Sequence, residues 1–178
     1  MSQIPNKFGA FIVGAMLCVQ LYPPCTQAKR HGGPTVGCRQ WDQRVDPTLG
    51  KTGVELDRTI SDKEFVEAVA CLLKHKGDHR LARFGGATNP GVSQILPGAT
   101  IELAALYYIS YIFTGNWHHA DGVALWNEDG VINPPGAIER AYSSYAKWFK
   151  VVQSLGLSAA RKKHLDPLEG TKLRWYGK

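Results

Sequence analysis

The stretch TIELAALYYISYIF, residues 100–113, decides how the rest of the chain must be arranged. Ile101, Leu103, Ala104, Leu106, Tyr107, Tyr108, Ile109, Tyr111, Ile112 and Phe113 place apolar side chains on nearly every face of a helix, and only Glu102 and Ser110 are clearly polar. A helix with no solvent face belongs in the middle of a domain, and about 14 residues fall short of the roughly 20 that a membrane crossing needs. The expected fold is mainly α: an irregular helical bundle around this buried central helix, with an extended N-terminal arm tied on by one disulfide.

Upstream, Ser61-Asp62-Lys63-Glu64 has the form of a capping box, in which the serine oxygen accepts from an early amide while the glutamate reaches back. Ile60, Phe65, Val69, Leu72 and Leu73 then recur at helical spacing to about His75, and Gly77 is a natural stop. Residues 29–60 are rich in Gly, Pro, Asp and Arg and carry few apolar side chains, so they read as an irregular arm held by Trp41 and Cys38. The glycines and prolines between residues 85 and 98 mark a loop.

Downstream, residues 115–132 are ambiguous. Trp117, Ala120, Val123 and Ala124 suit a short helix, whereas Asn127-Glu128-Asp129-Gly130 would serve as a hairpin turn; the helix is the expectation. Asn133-Pro134-Pro135 opens a long amphipathic helix whose stripe is Ile138, Tyr142, Tyr145, Phe149 and Val152, and Gly156 ends it. Ser158 is placed to cap a last short helix over residues 159–165, and Leu173, Trp175 and Tyr176 anchor the tail. Residues 61–178 thus read as the helical domain.

The first 28 residues look like a cleavable export signal. Lys7 precedes an apolar run from Phe8 to Val19, Pro23 and Pro24 break it, and Thr26-Gln27-Ala28 offers small residues for a peptidase. Residues 29–178 would then form one mature domain, periplasmic or secreted, with no membrane span. Of the four cysteines only Cys38 and Cys71 would remain, and in an oxidising compartment such a pair is read as a disulfide. Two separate buried thiols are the alternative.

The formal net charge of +6 favours anionic partners weakly, whether an acidic protein or an anionic envelope surface met through Arg161, Lys162 and Lys163. Export disfavours nucleic acid. No cofactor is implied, and the catalytic signals are thin. His75 and His79 lie four apart, a spacing that suits a metal, yet Gly77 stands between them and Lys76 replaces the glutamate of a zinc-protease helix, so solvated loop histidines are expected. His118, His119 and Asp121 are the other weak candidates, for acid–base or metal chemistry. Neither a nucleophile elbow nor a phosphate loop is present in the sequence.

Five tryptophans and seven tyrosines exceed what one small core readily hides. Amphipathic aromatics beside arginine are what protein-binding surfaces use, which singles out Arg83, Trp117 and Trp126. The functional expectation is an exported helical binding module, of inhibitor or immunity type, whose partner is a protein. The alternative is a small hydrolase or metal-dependent enzyme using His118, His119 and Asp121.

Overall fold

The computed structural model of the chain describes residues 37–49, 60–82, 98–115 and 123–176. These lie in one compact unit, Gly33–Lys178. The proposed leader, Arg83, Trp117, His118, His119 and Asp121 lie outside the described residues.

The protein is mainly helical. Helix α1 spans Arg39–Val45, α2 Asp62–Leu72, α3 Ile101–Thr114, α4 Ala137–Leu155 and α5 Leu157–Lys162, with two short strands, β1 Leu125–Asn127 and β2 Leu173–Trp175. Helix α3 is the apolar stretch read first. Every residue of it except Ser110 and Thr114 is buried, and it packs on α1, α2, α4 and α5. Thr100 caps its start by accepting from the Leu103 amide at 3.4 Å, and Gly115, at φ +69°, closes its end.

The capping box at the start of α2 forms as its residues predict. The Ser61 oxygen accepts from the Glu64 amide, and the Glu64 carboxylate accepts from the Ser61 amide at 3.0 Å. Phe65, on the buried face of α2, meets Phe113 of α3 and Trp148 of α4, with ring centroids 6.0 and 6.1 Å apart. Phe113 and Trp148 pack edge to face at 4.9 Å, an arrangement that contributes beyond simple area burial. Three helices therefore share one aromatic knot.

Helix α4 follows a turn rather than starting at the prolines. The Ala137 amide donates to the Pro134 carbonyl, and Gly136, at φ +70°, admits the chain to the helix. Its buried stripe of Tyr142, Tyr145, Phe149 and Val152 is the one the periodicity marks.

Three expectations are corrected. The arm contains a helix: α1 and a 3-10 turn at Pro47–Leu49 occupy its described part. Seven residues with so few apolar side chains do not make a stable helix alone; α1 is held by Val45 in the core and by the Cys38–Cys71 disulfide, whose Cα atoms are 5.3 Å apart. Where a helix was expected in 115–132, the described part, 123–132, is β1 followed by the Asn127–Gly130 turn. The Asn127 side chain accepts from the Val131 amide at 2.8 Å, and β1 pairs antiparallel with β2, so non-local strand pairing outweighs the weak helical pattern. Finally, α5 begins at Leu157, ahead of Ser158, because the Asp62 carboxylate of α2 accepts from the Leu157 amide at 3.3 Å.

Candidate functional site

Two groupings of polar and aromatic side chains stand out. The first gathers around the segment 75–82, which crosses from the end of α2 to the start of α3. Its backbone is stitched to that start: the Ile101 amide donates to the Arg80 carbonyl at 2.8 Å and the Glu102 amide to the Asp78 carbonyl at 3.1 Å. Four carboxylates, Asp42, Asp46, Asp78 and Glu102, are buried here. Buried carboxylates need partners, and each has one.

Arg80 clamps two of them. Its guanidinium donates from Nε and Nη2 to Asp78 at 3.0 and 2.7 Å, and from Nη2 to Asp46 at 2.7 Å. Burial pushes the Asp46 carboxyl up, but hydrogen bonds from the Thr48 hydroxyl and amide, with Arg80, outweigh it and hold Asp46 below the usual range. Asp78 is likewise lowered, the bonds from Arg80 overcoming desolvation. The clamp joins the residue that ends α1 to the loop that leads into α3.

The two histidines of the expected metal spacing serve different carboxylates. His75 Nε2 lies 3.0 Å from Asp42 of α1 and its ring is largely buried, so it is not the solvated loop histidine the sequence suggests. His79 is exposed as expected, yet its Nδ1 lies 2.8 Å from Glu102. Glu102 also accepts from the Gly77 amide at 2.9 Å. A carboxylate only accepts, so the neutral imidazole carries its proton on Nδ1 and leaves Nε2 as the base. Beside this pair lies a cleft of about 570 Å³, lined also by Lys76 and the 133–139 turn. Among the described residues no group of three or more His, Cys, Asp or Glu is placed to hold a metal.

The second grouping lies on the two-stranded ribbon. Trp126 and Arg174 are direct cross-strand partners. Leu125, Leu173 and Trp175 point to the core, so alternation puts Trp126, Arg174 and Tyr176 on the opposite face, where Arg174 is exposed and Trp126 and Tyr176 are half-buried. The Arg174 guanidinium carbon sits 4.3 Å above the Trp126 ring, and Tyr176 meets the same ring at 5.4 Å. Trp126 was singled out from the sequence; Arg174 was not, although Leu173-Arg174-Trp175 has the alternation of a half-buried strand.

The basic cluster is also redistributed. Arg161 does not face solvent freely: it donates to the Phe113 and Ile112 carbonyls at 2.6 and 2.7 Å and so closes the C-terminal end of α3. Lys162 and Lys163 are exposed.

No family model, no curated protein and no solved structure matches this chain.

Proposed function

We propose that the protein is an exported, disulfide-tied helical module that acts by binding another protein, in the manner of an inhibitor or immunity protein. The observation that carries this reading is the outward cluster of Trp126, Arg174 and Tyr176. Tryptophan, arginine and tyrosine are the residues most enriched at binding hot spots, and a strand pair presents them on rigid backbone at little entropic cost. The Cys38–Cys71 bond supports export, because such bonds persist outside the reducing cytosol.

The test is capture of the partner from envelope extract by the full chain and by the variants Trp126→Ala, Arg174→Ala and Tyr176→Ala. Loss of capture with an unchanged melting temperature supports the reading. Undiminished capture by all three removes the ribbon face from it.

A second reading, a small hydrolase, draws on His79. Its Nε2 stands as a base at the edge of a cleft, oriented by Glu102 as a histidine is by its carboxylate in general-base catalysis. Abolition of any hydrolytic activity by both His79→Gln and Glu102→Gln would favour it; His118, His119 and Asp121 belong to the same reading.

A further inference from the structure

We infer that the partner meets the ribbon with an acidic segment, and that Arg174 is the receptor for one of its carboxylates. The inference rests on the binding-module reading and names the chemistry of the partner. It starts from how Arg174 is held. The guanidinium carbon lies 4.3 Å from the centre of the Trp126 ring, within cation–π reach. Its N–H donors lie in the guanidinium plane, and they bond to no other group among the described residues. The ring therefore restrains the long side chain while the fork of donors stays available.

An arginine held in this way suits a carboxylate. Two parallel N–H···O bonds need the guanidinium plane fixed before the partner arrives, and an unrestrained arginine would lose rotamer freedom on docking. Tyr176 at 5.4 Å from Trp126 extends the aromatic surface of the ribbon, which suits a segment with a carboxylate next to an apolar side chain.

Charge points the same way. The ribbon and its turn carry Lys172 and Arg174 with Glu128 and Asp129, and the Asp129 carboxylate accepts from the Asn127 side-chain amide at 3.2 Å. Arg161 is committed to the end of α3, and Lys172 lies 3.5 Å from Glu128, which leaves Arg174 as the cation held by an aromatic face on the ribbon. An arginine with no carboxylate partner among the described residues favours an acidic group across an interface and disfavours a basic one. An acidic protein segment is favoured over an anionic polymer because a polymer is bound by scattered lysines and needs no oriented fork.

The experiment titrates the full chain with a capped peptide of alternating glutamate and leucine, following the Arg174 Nε–H and Trp126 Nε1–H resonances. The expected result is a saturable shift of both, weakened about tenfold in Arg174→Lys, which keeps the charge and loses the fork. Arg174 is exposed, so far-ultraviolet dichroism should show the variant folded. Equal affinity in Arg174→Lys overturns the inference, as does binding of polyphosphate alone. A photocrosslinker at the exposed position 128, used in envelope extract, separates the two levels of failure. If it captures a partner while the peptide does not bind, the acidic inference falls and the binding module stands; if both fail, both fall.

Discussion

His79 and Glu102 form a pair of opposite exposure: the imidazole is mostly in water, and the carboxylate 2.8 Å from its Nδ1 is buried in the first turn of α3. Two roles are superposed in Glu102. It holds the Gly77 amide, and hence the path of the loop, and it orients an imidazole that contributes little to stability. The two separate by mutation. Replacing Glu102 by Ala removes the charge-assisted bond from the Gly77 amide and should cost about 2 kcal/mol in urea unfolding. Removing the exposed ring in His79→Ala should cost less than about 1 kcal/mol. In Glu102→Gln, nitrogen shifts of His79 should report a mixture of tautomers in place of a fixed Nδ1–H.

Arg80 sets the acid limit of the fold. Asp46 and Asp78 are held below their ordinary value of 3.8, so their ionised forms stabilise the folded state. That contribution is fully present above the unfolded carboxylate range and is lost as pH falls through the lowered folded values. Stability should therefore be flat from neutral pH down to about 4 and fall below it. Arg80→Ala removes the common partner of both groups. At pH 7 it should cost about 2 kcal/mol, less than a fully buried pair because Arg80 is half in water, and the acid-unfolding midpoint should move to higher pH. A midpoint that stays in place would mean that Thr48 alone holds Asp46.

The central helix was legible because its signal is local: Ile101 to Phe113 are apolar whatever surrounds them. The capping box at Ser61 and the stripe of α4 were legible for the same reason. Helix α1 was not, since its existence depends on Cys71 and the core, which are far along the chain. The ribbon was missed because Leu125 and Trp175 find each other across about 50 residues, and periodicity within residues 115–132 cannot register such a partner. The polar cluster was half visible. A lone Glu102 in an apolar helix demands a partner, but only the fold shows that Gly77 and His79 supply it. The basic run at 161–163 misled for the opposite reason, as charge in sequence does not reveal that Arg161 spends its donors on carbonyls.

Cys38 and Cys71 close a loop with a sequence separation of 33 and attach α1 to α2. In the chain-entropy account, a loop of this size contributes about 3 to 4 kcal/mol. Replacing both cysteines by serine should lower stability by that order. The loss should also be uneven. The amides of α1 should lose protection from hydrogen exchange well before those of α3, because α1 is then held without a covalent tie, by Trp41 and Val45 against the core, the Asp42–His75 contact and the Asp46–Arg80 clamp. Uniform loss of protection would show that α1 and the core form one cooperative unit with or without the cross-link.

Arg161 and Arg174 have opposite duties, and one pair of variants should show it. Arg161 donates to two carbonyls at the end of α3, where the helix dipole places partial negative charge and no further amide is available. Desolvation of the partly buried guanidinium works against that bond and lowers its basicity, with Asp62 acting in the other direction. Arg161→Gln should therefore cost about 2 kcal/mol of stability, the range for hydrogen bonds to a charged group. Its effect should be nearly insensitive to salt, as a short, partly buried contact is screened little. Arg174→Gln should leave stability within about 0.5 kcal/mol, an exposed stacked cation contributing little to folding. Any partner binding it supports should weaken steeply as ionic strength rises. Thermal melts of both variants at low and high salt, set beside binding measured under the same conditions, would separate the cation that holds the fold from the one that faces outward.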